Sequence, residues 1–167
     1  YANKALIEKM YLTMENKRNY TYVAGDYVVY PTHGVGRIIG TENNHIEGST
    51  ISLLVIRFEQ DRMTLRIPLE KAMILGLRTL SSRKHMDNAI LTLKGKARVR
   101  RTMWSRRAKE YDDKIKSGDP VSIAEVVRDL HRRTNQAEQS YSERQMYQAA
   151  LERLAREFAA IEKIDQD

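Results

Sequence analysis

The spacing of apolar residues changes near Pro68, from the short period of β-strands to the longer period of helices. Upstream, short runs of β-branched and aromatic residues are separated by Gly, Asn and Asp, which is typical of a small all-β meander or barrel. In the segment 62–67, Met63, Leu65 and Ile67 alternate with polar residues, so a period of two places these apolar side chains in a core. The predicted strands cover residues 27–30, 36–40, 50–58 and 63–67.

Downstream of Pro68 the apolar residues recur at intervals of three and four, which predicts helices. Pro68 can open a first helix over 71–77, because it lacks the N–H that the start of a helix leaves unpaired. Ser81 or Ser82 can cap a second helix that ends near Leu93. The other predicted helices cover about 103–117, capped by Thr102 and followed by Gly118, and two segments that begin at the capping boxes Ser122–Glu125 and Ser142–Gln145.

Both patterns together predict an α+β chain, in which a small β barrel is followed by an all-α helical bundle. The length of 167 residues suits one or two domains and is sufficient to bury a core. We expect an amphipathic N-terminal extension and linker over 1–20, a β domain over 21–68 and a helical domain over 69–167.

Positive charge is concentrated in one block of the chain. Lys and Arg number 29 against 22 Asp and Glu, which gives a formal net charge of +7. Residues 83–109 hold ten basic residues and one acidic residue, a local charge of +9, whereas 21–78 is balanced and 110–167 has a charge of −4. A block of this density indicates an anionic partner, although a solvated charged face would have a similar composition.

Composition argues against several classes of function. The absence of cysteine excludes a disulfide-stapled module, a thiolate zinc site and a cysteine nucleophile. No apolar run reaches the ~20 residues that span a bilayer, and no signal-peptide pattern is seen, so we expect a cytoplasmic protein with no membrane partner. The Gly34–Gly36 segment is interpreted as a turn, and no nucleotide loop or catalytic constellation is found, so we expect neither enzymatic activity nor a cofactor.

Trp104, the only tryptophan, lies within the basic block. One interpretation is structural, because Trp104, Ala108, Tyr111 and Ile115 recur at helical spacing and would form an apolar stripe. The other is a nucleic-acid surface, since arginines neutralise phosphates and an indole can stack on a base or wedge into a groove. The spacing leaves both interpretations open. The arginines placed on the same helical side are Arg100, Arg101 and Arg107.

Four segments carry a family resemblance. They are Tyr27–Gly36 (YVVYPTHGVG), Met63–Pro68 (MTLRIP), Trp104–Arg107 (WSRR) and Ala124–Leu130 (AEVVRDL). In this order they resemble the CarD family of bacterial transcription regulators, with similarity over about residues 21–162. The resemblance implies an N-terminal Tudor-like (SH3-like) β domain that binds RNA polymerase, followed by a helical domain that binds DNA. Transcription-repair coupling factors share the first domain, but their helicase motifs are absent from this sequence.

The resemblance also implies which residues make contacts. Arg66 matches the polymerase-contacting arginine of the family, and we assign Arg57 and Thr64 to the same surface. A second basic contact of some relatives falls near Asn44, where this sequence departs from the family pattern. Trp104 matches the family's tryptophan wedge. The basic residues assigned to DNA are Arg106, Arg107, Lys109 and Arg144 from the resemblance, with Arg100 and Arg101 from their spacing.

The sequence is therefore interpreted as a non-enzymatic, monomeric transcription regulator of the cytoplasm and nucleoid. It would dock on the β subunit of bacterial RNA polymerase and contact promoter DNA, with little sequence preference, at the upstream edge of the transcription bubble. Binding opened DNA better than closed duplex would stabilise the open complex. The alternative is a polymerase-independent DNA-architectural protein, and a pull-down of RNA polymerase distinguishes the two.

Overall fold

The computed structural model describes residues 22–132 and 137–166, so the helix and linker predicted over 1–20 lie outside the described residues. Five antiparallel strands form one sheet in the order β4-β3-β2-β1-β5. The α+β class is confirmed, but the predicted closed barrel is wrong, because β4 and β5 are the two ends of an open sheet. The strands are β1 (Tyr27–Tyr30), β2 (Gly34–Ile46), β3 (Ser49–Phe58), β4 (Met63–Pro68) and β5 (Arg78–Thr79).

One face of the sheet carries the β core. Phe58, Ile56 and Ile38 are almost fully buried there, and Ile67 of β4 joins them, as the alternation in that strand predicts. The strand predicted over 36–40 is part of β2, which begins two residues earlier, at Gly34, within the segment interpreted as a turn. A Cβ at Gly36 would lie 2.7 Å from Ile56 Cγ2 and 2.8 Å from Phe58 Cε1, so the core leaves room only for glycine.

The helix predicted over 71–77 is wrong. Leu69–Lys71 forms a short 3₁₀ helix, and the chain then turns and enters β5, which pairs with β1. Ala72 and Leu77, which lie within the predicted helix, are buried in the β core instead. Gly76 permits the turn, since its φ of +89° lies in the region that favours glycine. The sheet therefore continues beyond Pro68.

Four helices complete the described chain: α1 (Arg83–Leu93), α2 (Trp104–Lys116), α3 (Pro120–Leu130) and α4 (Tyr141–Gln166). They surround a second apolar cluster, and none of the helices in the described ranges is long and apolar enough to cross a membrane. The most buried members of this cluster are Met86, Ala89, Ala124, Val126, Leu130 and Ala150.

The helix caps follow the sequence only in part. Ser82 caps α1 as predicted, with its hydroxyl accepting a hydrogen bond from the backbone N–H of His85 at 3.1 Å. The predicted caps of the other three helices are wrong. Met103 rather than Thr102 precedes α2, Asp119 rather than Ser122 caps α3, and Ser140 rather than Ser142 accepts a hydrogen bond in the first turn of α4.

Asp119 explains the earlier start of α3. Pro120 occupies the first helical position, so the residue before it becomes the cap, and its carboxylate accepts hydrogen bonds from Ser122. His85 of α1 lies 2.7 Å from the same carboxylate and ties the two helices together. Burial acts to raise the pKa of Asp119, but the hydrogen bonds from His85 and Ser122 outweigh it and hold that pKa below its ordinary value.

A partly buried ion pair joins the helices to the sheet. Glu157 of α4 is 4% exposed and accepts two hydrogen bonds from Arg78 of β5, at 2.7 and 3.0 Å. The same carboxylate accepts the backbone N–H of Ser81 at 2.9 Å, and Arg78 also donates to the carbonyl of Gly118 at 2.6 Å. The end of the sheet is therefore fixed to two different helical segments.

A second arginine makes a similar connection at the β1–β2 turn. Arg153 of α4 donates to the carbonyl of Pro31 at 2.6 Å and also to the carbonyl of Thr32. Burial lowers the pKa of Arg153 below its ordinary value. Since the partners are backbone carbonyls of the turn that joins β1 and β2, these contacts fix the position of α4 relative to both strands.

Glu157→Ala is expected to destabilise the protein by about 3 kcal/mol. It would leave the Arg78 charge without its carboxylate and the N–H of Ser81 without its acceptor. Removing one partner of a buried pair costs ~3–5 kcal/mol, and the partial exposure of Arg78 places this loss at the lower end of that range. Urea unfolding measures the change, with Glu152→Ala on the same helix as a control, because Glu152 is exposed and pairs only at the surface with Arg156. A loss as small as that of the control would contradict this role for Glu157.

Candidate functional site

The face of the sheet opposite the β core carries a row of arginines. Arg66 and Thr64 lie two residues apart on β4, so their side chains share a face. Thr64 lies directly across from Arg57 of β3, and Arg57 lies across from Arg37 of β2. Partners across a ladder also share a face, so the row extends from the edge of the sheet toward its centre.

Polar contacts hold these side chains in place. Arg66 Nε lies 3.0 Å from Glu42 Oε2 of β2, and half of the Arg66 side chain remains exposed. Arg57 Nη1 donates to Thr64 Oγ1 at 3.1 Å, so two of the predicted residues contact each other directly. The sequence does not predict the pairing of Arg66 with Glu42, because these residues meet only through the register of β2, β3 and β4.

β4 forms one edge of the described sheet. Its residues pair with β3 on one side, and no described strand lies on the other. The free side leaves backbone N–H and C=O groups available, and an extended segment of another protein can pair with such an edge. Arg66 is therefore placed where strand addition and a charged contact can occur together.

The β2–β3 hairpin extends beyond the rest of the sheet. Every residue over 41–52 is exposed, and the two strands there pair only with each other in the described chain. Asn44 lies in this extended part of the hairpin, across from Ile51. The place where the family resemblance implies a second basic contact is thus occupied by an uncharged residue at the surface.

The basic block includes an exposed loop between α1 and α2. All residues over 94–101 are exposed, including Arg100 and Arg101. The loop is attached to α3 by Asp129, which is 3% exposed and accepts the backbone N–H of Arg98 at 2.9 Å. Asp129 also accepts a hydrogen bond from Arg128 Nε at 2.9 Å. A buried carboxylate thus positions a cationic loop whose side chains face solvent.

Asp129 is a functional residue that the sequence analysis did not select, although the sequence contains a signal for it. It lies in the Ala124–Leu130 segment, next to apolar residues that form the buried side of α3. A charged residue at such a position must be paired, because burying an isolated charge is costly. The sequence does not identify the partner of Asp129. That partner is the backbone N–H of Arg98, which is distant along the chain, and a backbone group leaves no pattern in the sequence.

The start of α2 presents positive charge to solvent. Met103 precedes the helix, is 74% exposed and makes no side-chain cap, and the first turn contains no acidic residue. Arg106 lies in this first turn and is exposed. The free N–H groups and the dipole of a helix N-terminus favour an anion, and here the arginine adds to that potential.

Trp104 is the first residue of α2, so its prediction in the first helical turn is correct. Its ring lies 6.4 Å from that of Tyr111, and it packs against the helical core while remaining partly exposed. Arg107 Cζ lies 5.5 Å from the Trp104 ring and 5.8 Å from the Tyr111 ring. Trp104 therefore belongs to the apolar stripe and also has Arg107 as a close neighbour, while its contact with DNA stays a prediction.

The remaining residues assigned to DNA lie on two helices. Arg106 and Lys109 are exposed on α2, and Arg144 is exposed in the first turn of α4. Arg107 differs from them, because its Nε and Nη2 atoms are buried and have no hydrogen-bond partner. No group of three or more His, Asp or Glu residues suited to a metal ion occurs in the described ranges.

Comparison with known proteins covers both parts of the chain. Residues 22–81 match the family described as the CarD-like/TRCF RID domain, and residues 88–167 match the CarD C-terminal domain. The chain is similar to the "Putative transcription factor YdeB" of Bacillus subtilis (strain 168), with 32% identity over 140 residues, 84% of this chain and 92% of that protein.

Among solved structures, the chain is similar to the solution NMR structure of the 72-residue N-terminal domain of Myxococcus xanthus CarD. The sequence identity is 29%, the match covers 35% of this chain and 79% of that one, and the TM-score is 0.31. The two domain matches, together with the relative that aligns over most of the chain, establish the family: the chain belongs to the CarD-like proteins.

Proposed function

We propose that this CarD-like protein regulates transcription by binding RNA polymerase through its sheet and promoter DNA through its helical part. The family and the similarity to a putative transcription factor support a role in transcription regulation, in a family that is generally not enzymatic. The RID domain match supports an interaction with RNA polymerase. The observation that carries the proposal is the presence, on one chain, of an exposed basic loop leading into α2 and a separate arginine row on a sheet edge.

The polymerase contact is assigned to the β subunit and to the free edge of β4. Arg66, Arg57 and Thr64 share the outer face of the sheet beside that edge. A β-strand of the partner could pair with β4 while an acidic side chain replaces Glu42 as the partner of Arg66. Main-chain pairing would supply affinity, and the arginine would select the partner.

The DNA contact is assigned to α2 and its neighbours. Exposed Arg100, Arg101, Arg106, Lys109 and Arg144 would neutralise phosphates, while Trp104 would stack on or wedge beside a base. Contacts to phosphates carry no sequence information, so binding should be weak and tolerant of sequence. We assign the site on the promoter to the upstream edge of the transcription bubble.

Tethering explains how weak DNA contacts suffice. Anchoring the sheet on polymerase raises the effective concentration of the helical surface at the promoter. The ion pair of Arg78 with Glu157 and the hydrogen bonds of Arg153 to backbone carbonyls help by limiting the orientations that α4 can take relative to the sheet. The open complex gains stability if this surface binds opened DNA better than closed duplex, and ~1.4 kcal/mol of difference shifts the equilibrium tenfold.

Retention of purified core RNA polymerase on the immobilised full chain tests the first half of the proposal. We expect retention, and we expect the lifetime of open complexes to lengthen when the free protein is added. Binding to DNA without retention of polymerase would instead support a polymerase-independent DNA-architectural protein. Retention without any effect on open complexes would remove the DNA half of the proposal.

Binding to duplex DNA is expected to depend steeply on salt. Arg106→Ala and Lys109→Ala should each reduce the slope of log affinity against log salt by about one, because each removes one phosphate contact. Titration by fluorescence anisotropy at several salt concentrations measures the slope, with Lys163→Ala near the end of α4 as the control. A shallow slope combined with strong preference for one duplex sequence would favour base readout instead.

A further inference from the structure

We infer that Arg107 is a positioning residue for Trp104 rather than a contact to DNA phosphate. The inference rests on the proposed DNA-binding function and assigns a different task to one of two adjacent arginines. Arg106 and Arg107 are consecutive in the sequence, and the sequence alone assigns both of them to DNA. Their surroundings differ, because Arg106 is exposed and Arg107 lies over two aromatic rings.

Helical spacing produces this arrangement. Trp104, Arg107 and Tyr111 are separated by three and four residues, so they stack along one side of α2. The guanidinium carbon lies 5.5 Å from one ring centroid and 5.8 Å from the other, and the two rings are 6.4 Å apart. These distances allow one cation to be attracted to both aromatic faces.

The hydrogen-bonding state of Arg107 supports the same assignment. Its Nε and Nη2 atoms are buried without a hydrogen-bond partner, and no other side-chain nitrogen or oxygen atom in the described part of the chain is in that condition. A phosphate contact by an arginine uses N–H groups that face the ligand. Here two of the nitrogen atoms are turned away from solvent, so the side chain is placed for stacking.

Positioning of this kind would matter for DNA binding. By covering part of the indole and holding it near Tyr111, Arg107 reduces the number of orientations that Trp104 samples before DNA arrives. A side chain that is already ordered loses less conformational entropy on binding. Removing Arg107 should therefore weaken binding at all salt concentrations by about two- to tenfold, with no change in the number of phosphates neutralised.

Trp104 itself supplies the first test, since the chain has no other tryptophan and its fluorescence reports this residue alone. In the full chain, Arg107→Met should raise the efficiency of acrylamide quenching, because the indole loses its cover. Arg106→Met is the matched control and should leave quenching unchanged. Unchanged quenching in Arg107→Met would overturn the inference.

The salt slope supplies the second test, using the same variants and one duplex. Arg106→Met should lose about one unit of slope, whereas Arg107→Met should keep the slope of the original protein and lose affinity equally at each salt concentration. A loss of about one unit in Arg107→Met would overturn the inference, because it identifies Arg107 as a phosphate contact.

Two further results remain interpretable: a failure of Arg107→Met to fold, and an original protein that does not bind DNA. If Arg107→Met does not fold, Arg107→Lys replaces it, since lysine keeps the charge but lacks the planar group that stacks on rings. Positioning then predicts raised quenching at unchanged slope, and a phosphate contact predicts that neither changes. If the original protein does not bind DNA, the proposed function fails, while the quenching measurement still decides whether Arg107 positions Trp104.

Discussion

Arg66→Glu is expected to abolish retention of RNA polymerase while leaving the fold intact. The side chain lies on the outer face of the edge strand β4, is half exposed and contributes nothing to the β core. Reversal of its charge opposes any acidic partner and removes the hydrogen-bond donor from the docking edge. The loss should exceed that of Arg57→Ala, because Arg57 is partly buried and directs Nη1 to Thr64 within the sheet.

Stability should change little in this variant. Among the described residues Arg66 pairs with Glu42, and exposed ion pairs contribute ~0–1 kcal/mol. Two facing carboxylates would repel, but solvent and salt screen them at this surface. The thermal midpoint should therefore remain close to that of the original protein, and circular dichroism of both proteins measures it.

Lys71→Glu is the matched control for the polymerase assay. It makes the same change in net charge at an exposed residue of the 3₁₀ helix that follows β4. We expect it to retain polymerase. Glu42→Gln is a complementary variant, since it frees Arg66 from its partner and should preserve or strengthen binding. Retention of polymerase by Arg66→Glu, or unfolding of that variant, would remove Arg66 from the proposed docking site.

Local patterns were sufficient for much of the fold. The alternation in β4 predicts that Ile67 lies in the core and Arg66 at the surface, as the structure shows. The capping signal at Ser81 or Ser82 depends on a few neighbouring residues, and Ser82 caps α1. The segment after Pro68 shows the limit of such patterns. Pro68 is compatible with the start of a helix, yet the chain turns at Gly76 and adds β5 to the sheet, so Ala72 and Leu77 are buried in the β core.

The details of the site depend on contacts that no local pattern contains. Arg78 and Glu157 are 79 residues apart, and Arg153 meets a carbonyl 122 residues away. Arg66 and Glu42 are closer, at 24 residues, but meet only because β3 lies between them in a definite register. Sequence identifies which residues carry charge, while the fold decides which of them remain free for a partner.

Trp104→Ala is expected to remove most of the stabilisation of the open complex while polymerase binding persists. Charged side chains and the indole differ in how strongly they distinguish closed from opened DNA. Exposed arginines attract phosphates of closed and opened DNA alike, so they add affinity with little preference between the two states. An indole that enters a distorted or unstacked step finds its partner mainly where the duplex has opened, and this difference shifts the equilibrium. If the contact is worth ~1–3 kcal/mol, its loss should speed bubble collapse by about five- to a hundredfold.

Because Trp104 also packs against the helical core, the measurement needs a control for stability. Complete truncation of a buried aromatic residue costs ~3–5 kcal/mol, and the partial exposure of Trp104 places the expected loss below that range. Leu151→Ala removes a partly buried side chain from α4 in the same apolar cluster, and it should lower the thermal midpoint without shortening the lifetime of the open complex. If Leu151→Ala shortens that lifetime as much as Trp104→Ala does, stability alone explains the effect. A shorter lifetime in Trp104→Ala at a temperature where both variants remain folded assigns the effect to the indole itself.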